Sequence, residues 1–155
     1  MRNRSTLRRD RGFTLVELMV VITIATILTV IAVPAYNSQV RKSRRTEAKT
    51  ALLDLAGREE RYLSANGAYT VDGKLLGYPQ TAWPQTTASG YYNITVSNVN
   101  PGTAGTTTTA GTAPTFTITA VPVSTSAQAK DTGCASFVID QTGAQTSSPN
   151  TTGCW

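Results

Sequence analysis

Histidine is absent from this 155-residue chain, and cysteine occurs only twice, at Cys134 and Cys154. Without imidazole there is no His-based general base or triad, and two thiols alone do not make a His/Cys zinc site of the usual kind. Charged side chains are scarce at 15% of residues, and aromatic ones make up 7%. No nucleophile–base pair, phosphate-binding glycine loop or metal-ligand set can be assembled from what remains. The residues argue against an enzyme, and no cofactor or metal is expected.

Charge is also unevenly spread. The formal net charge of +5 invites a nucleic-acid reading until its distribution is considered. Arg2, Arg4, Arg8, Arg9 and Arg11 against Asp10 give the first twelve residues +4, whereas residues 13–155 carry nine basic and eight acidic side chains. The basic character belongs to the leader and not to the body of the protein.

What the chain has in abundance is one apolar run, residues 13–36, interrupted by a single charge at Glu17. The 23 residues from 13 to 35 reach about 35 Å as a helix, enough to cross a bilayer. A basic segment before such a run points to membrane insertion with the basic end in the cytoplasm. The run is too long for a secretory h-region, and no small-x-small cleavage site follows it. A charge inside it costs on the order of 2.5–3.5 kcal/mol by insertion scales. A plain anchor gives no reason for Glu17.

After Tyr36 the pattern stays helical but becomes one-sided. Ala48, Ala51, Leu52, Leu55, Ala56, Tyr62 and Leu63 recur at spacings of three and four, which makes a single stripe that needs a packing partner. Glu59, Glu60 and Arg61 are expected on the exposed face. The basic cluster Arg41, Lys42, Arg44 and Arg45 reads as a solvated or phospholipid-facing stretch, not a DNA site. Asn66-Gly67 is a stop signal. Residues 67–90 read as a connecting loop with packed aromatics at Tyr78 and Trp83.

Alternation follows. Tyr92, Ile94 and Val96 share a face, as do Phe116, Ile118 and Ala120, and then Ala135, Phe137 and Ile139. These predict antiparallel strands with one buried face. A fourth, weaker strand is expected after the Asp140-Gln-Thr-Gly143 turn. The Thr/Gly-rich residues 100–113 read as a mobile hairpin loop, with O-linked sugar as a lesser alternative. Asn93-Ile-Thr95 and Asn150-Thr-Thr152 match the N-glycosylation pattern, at a frequency close to chance in so Thr-rich a chain. The fold class is therefore α+β. A long N-terminal helix, half membrane-spanning and half amphipathic, packs on a four-stranded antiparallel sheet.

Arg11-Gly12-Phe13-Thr14-Leu15-Val16-Glu17 resembles the processing motif of type IV prepilins. The resemblance implies cleavage between Gly12 and Phe13 by a prepilin peptidase, which then methylates the new amine of Phe13. Glu17 becomes the fifth mature residue and Pro34 the twenty-second, a position where these pilins commonly carry a helix-disturbing proline. Glu17 is then expected to pair with the N-terminal amine of the adjacent subunit, a pairing strengthened by burial, and so to set helix register. Pro34 removes a donor from the Val30 carbonyl. It is expected to kink the helix, with local melting in the filament, while Thr26 and Thr29 satisfy freed carbonyls.

The resemblance also implies a disulfide between Cys134 and Cys154, the default in an exported domain, against the alternative of two free thiols. The tail looks most like minor pilins of the PilE kind among type IVa pilins. The segments are then 1–12 leader, 13–36 membrane and assembly helix, 37–66 amphipathic helix and 67–155 head. Implied partners are other pilin subunits, the peptidase, an inner-membrane assembly platform and lipid, with nucleic acid disfavoured. The subunit is expected in the inner membrane before assembly and in an extracellular pilus afterwards. A minor pilin of a type IV pilus is the leading reading. A type II secretion pseudopilin and a DNA-uptake minor pilin stand as alternatives. The first is disfavoured by the C-terminal loop and by having only Asp131 and Asp140 where a calcium cluster would lie. The second is disfavoured because only Lys74 and Lys130 follow Arg61 in the head.

Overall fold

The computed structural model describes residues 12–102, 111–149 and 153–155. Residues 1–11, where the leader is expected, the Thr-rich residues 103–110 and the glycosylation match at Asn150 lie outside them. The order of elements is α1 (Leu15–Asn66), β1 (Gln85–Thr86), β2 (Tyr92–Asn100), β3 (Thr115–Pro122), a short 3-10 turn (Ala127–Lys130), β4 (Cys134–Asp140) and β5 (Gln145–Pro149). The chain divides into two compact units, residues 1–39 and 40–155.

In the first unit every described residue is exposed, including Phe13, Ile22, Leu28 and Ile31. An 18-residue window there reaches a mean hydropathy of 2.6. A helix apolar on all sides and exposed along its described residues has the length and composition to cross a membrane.

In the second unit α1 becomes one-sided. Ala48, Leu52, Leu55 and Glu59 are buried, a spacing of four, three and four that keeps one face inward. Gly67 ends the helix with φ +75 and donates its N–H to Leu63 O at 2.7 Å. Only glycine takes that left-handed conformation without a Cβ penalty. The stripe joins the inner sheet face in one core containing Tyr92, Ile94, Val96, Phe116, Ile118, Ala120, Phe137 and Ile139.

The sheet is antiparallel throughout, in the order β1-β2-β3-β4-β5. Register brings inward residues opposite each other: Ile94 faces Ala120, Val96 faces Ile118, Ile118 faces Ile139 and Ala120 faces Phe137. Phe137 meets Tyr92 and Trp155 edge-on, with ring centroids 6.0 and 5.8 Å apart. The Asp140 turn forms as its sequence implies. One carboxylate oxygen accepts from Thr142 N–H, Thr142 Oγ1–H and Ala144 N–H. The side-chain bond from Thr142, foremost, holds this carboxyl below its usual range.

Three expectations need correction. The sheet has five strands, because Gln85 and Thr86 pair with Ile94 and Asn93 inside what reads as loop. A two-residue strand shows no alternation, and this one is pinned by side chains. Gln85 Nε2 donates to Gln80 O and Ala82 O, while Thr86 Oγ1 meets Asn93 Oδ1 at 2.9 Å. Ala135 is exposed, not inward, because β4 changes register against β5 between Cys134 and Ser136 and Cys134 takes the buried place. Glu59 is fully buried instead of exposed, since it continues the Ala48–Leu55 spacing by one turn.

Cys134 and Cys154 form a disulfide across 20 residues, and both are buried. Reducing it, or substituting Cys154→Ser, is expected to lower head stability by about 3 kcal/mol from loop closure. Chemical denaturation with and without reductant measures the shift.

Candidate processing and assembly site

Residues 12–14 precede α1, and Thr14 caps it. The Glu17 N–H donates to Thr14 Oγ1 at 3.2 Å, and Leu18 N–H to Thr14 O at 3.2 Å. Thr14-x-x-Glu17 has the spacing of a capping box, a signal legible in the sequence that supplies a second reason for a carboxylate at this position. A carboxylate in the first turn is stabilised by the helix dipole by about 0.3–1 kcal/mol. That is well short of the membrane cost of a few kcal/mol, so capping alone does not account for Glu17. Phe13, Glu17, Leu18 and Val21 line one shallow groove, which places the carboxylate beside the residue that cleavage would make the N-terminus. A Cβ at Gly12 would meet nothing within 4 Å. Glycine is therefore not required there by packing within the chain.

Pro34 lies inside α1, which is helical on both sides of it. Thr26 and Thr29 do not reach the Val30 carbonyl as expected. Their hydroxyls donate to Ile22 O at 2.8 Å and Ala25 O at 2.7 Å, as Thr23 does to Met19 O. Helical side chains lean toward the N-terminus, so threonines that precede Val30 bond to carbonyls further back. A groove lined by Ile22, Ala25, Thr29, Val33 and Pro34 runs along this face.

The basic cluster is corrected in part. Arg45 is bound to the 131 carboxylate in a fork, Nε to Oδ2 and Nη2 to Oδ1, both 2.7 Å. The pair is mostly buried, with side-chain exposures of 17% and 6%. The bond to Asp131 raises the guanidinium pKa further, against desolvation. Gln128 Nε2 adds a third bond to Asp131 Oδ2 at 2.9 Å. Arg44 lies 4.0 Å above the Tyr91 ring. Two cations that read as solvated therefore fasten α1 to the head, because β2 and the 3-10 turn bring Tyr91 and Asp131 against it. Sequence separations of 47 and 86 residues hid both contacts. Lys42, Arg61, Lys74 and Lys130 remain exposed. Among the described residues there is no group of three or more metal-ligating side chains.

Comparison with known proteins then gives two family matches. Residues 7–33 match the prokaryotic N-terminal methylation motif, and residues 34–138 match the family described as type IV minor pilin ComP, DNA uptake sequence receptor. Fimbrial protein EcpC of Eikenella corrodens is 39% identical over 72 residues, covering 46% of this chain and 47% of its own. Type IV major pilin protein PilA of Myxococcus xanthus is 37% identical, covering 45% and 32%. The chain thus spans about half the length, or less, of these relatives. The non-core minor pilin PilV of Neisseria meningitidis superposes with a TM-score of 0.48 at 23% identity, covering 76% of this chain and 95% of the other.

The chain is a type IV pilin and belongs to the ComP minor pilin family. Its relatives are structural pilins and not enzymes. Type IV pilins sit in the inner membrane by an apolar N-terminal helix before they join an extracellular pilus, and the described residues of this chain include one such helix.

The Arg45–Asp131 fork generates a prediction. Asp131→Asn leaves a largely desolvated guanidinium without its counter-charge and is expected to cost on the order of 3 kcal/mol. Denaturation midpoints of the two proteins check it.

Proposed function

We propose that this chain is a minor subunit that enters or primes a type IV pilus through Phe13, Glu17 and Pro34. Residues 1–12 are the leader. The peptidase cuts after Gly12 and methylates the Phe13 amine, and the cut discards most of the positive charge. The exposed helix 13–36 then serves lipid first and neighbouring helices later, delivered by an inner-membrane platform. The observation that carries this reading is the capped, groove-lining Glu17 one turn from Phe13, within the residues matching the methylation motif. In a water-poor filament core the carboxylate is matched by the amine of an adjacent subunit, which sets the axial stagger. Pro34 is a point of weak helix bonding, since Val30 O has neither a proline N–H nor Thr26 or Thr29.

Gly12→Val is expected to block processing, seen by mass as retention of the leader. Glu17→Ala is expected to leave insertion and cleavage intact and to reduce the subunit in sheared pili by tenfold or more, for loss of about 1.4 kcal/mol or more. Wild-type amounts in sheared pili would overturn the register role.

A second reading, a DNA-uptake role, is favoured by the description of the family matching residues 34–138 as a DNA uptake sequence receptor. The head offers few cations, so binding would rest on Lys42, Arg61, Lys74 and Lys130. With about four phosphate contacts, the log–log salt slope for duplex DNA is expected to be about −3 to −4. Absence of binding at low salt, measured by anisotropy on the full chain in micelles, rejects this role.

A further inference from the structure

Glu59 is the carboxyl on the buried stripe of α1, one turn beyond Leu55 and fully buried. Its Oε2 accepts the Thr70 backbone N–H at 3.2 Å, and its Oε1 has no partner. Glu60 accepts the Tyr69 hydroxyl at 2.7 Å. Consecutive carboxyls of the helix thus hold consecutive residues of the segment that follows it. Tyr69 in turn sets its ring edge-on to Phe116 of β3, 4.7 Å between centroids. The two bonds fasten the loop to the core just after the chain leaves α1 at Gly67.

Among the described residues no cation pairs with Glu59. Arg58, beside it in sequence, directs its guanidinium to Asp54 and to Leu76 O. The titratable groups facing this corner are Glu60 from the same helix and the Tyr69 phenol from the loop, and the sheet contributes apolar Phe116. A buried carboxylate with one unpaired oxygen and a like charge beside it is unfavourable, whereas the neutral acid is tolerated there.

We propose that Glu59 is a proton-operated clasp on the segment after α1: neutral, it stays buried beneath residues 67–72, and ionised, its demand for water outweighs the bond from the Thr70 N–H and opens them. Desolvation, chiefly, and repulsion from Glu60 push its pKa from 4.5 to about 7, against the opposing pull of the Thr70 N–H. The folded carboxyl therefore keeps its proton more tightly than the unfolded one. Its contribution is complete below the ordinary carboxylate pKa and is lost as pH rises through about 7. The released segment contains exposed Val71 and adjoins exposed Leu75, so the order of an apolar stretch of head surface follows external pH.

Hydrogen exchange of the full chain in detergent micelles, corrected for intrinsic rates, tests this. Amide protection in residues 67–72 is expected to fall about tenfold or more between about pH 5.5 and about pH 8.5, since each pKa unit is a factor of ten. Glu59→Gln keeps the side chain's shape and stays neutral, and its protection should not change between the two conditions. Equal wild-type protection at both pH values, or the wild-type pH dependence persisting in Glu59→Gln, would overturn the clasp. Should Glu59→Gln not fold, the side-chain carboxyl 13C signal of wild-type Glu59 decides. A titration midpoint near 7 supports the proposal, and one in the ordinary carboxylate range rejects it.

Discussion

The head depends on one seam, where Ala48, Leu52 and Leu55 of α1 meet the inward residues of β2, β3 and β4. Fully burying one such leucine contributes about 1.5–3 kcal/mol, and Tyr69 and Leu76 of the segment after α1 join the same core. The short spacing of that stripe forces alanine and leucine toward the sheet and turns the charged residues around them outward or into specific bonds. Phe137, between Tyr92 and Trp155, ties the middle of the sheet to the disulfide-closed tail.

Polar contacts decide how the helix is held along that seam. Arg45 with Asp131 and Gln128, Arg44 over Tyr91, and Glu47 accepting the Ser89 N–H at 3.2 Å join α1 to two separate loops. At its far end Glu59 and Glu60 do the same for the segment after the helix. Apolar burial is non-directional, so these bonds supply the rotation and axial position that leucines alone leave loose. Phe13, Glu17 and Pro34, proposed above for processing and assembly, lie elsewhere on the same helix with their side chains exposed.

Much of this was legible in sequence because the signals are local and periodic. The apolar run, the stripe, three alternating strands, the Asp140 turn and the Gly67 stop each arise from residues within a few positions of each other. The misses have equally physical causes. The strand Gln85–Thr86 is too short to show a period, and Ala135 sits at a register change that breaks one. Glu59 is of a type that favours solvent, yet its spacing from Leu55 turns it inward. Thr26 and Thr29 precede Val30, and helical geometry carries their hydroxyls to carbonyls further back. The capping relation of Thr14 to Glu17 is local and legible in the sequence.

The sequence by itself determined which helix face is apolar, where the helix ends, which strand faces turn inward and that the first twelve residues carry most of the net charge. Those properties depend only on neighbouring residues and on the fixed periods of helix and strand. Tertiary structure alone decided the partners. Arg45 finds Asp131 across 86 positions, and Glu59 loses its solvent to a core built from strands far along the chain. A charge's environment is set by what folds over it, and that is not encoded in its neighbours.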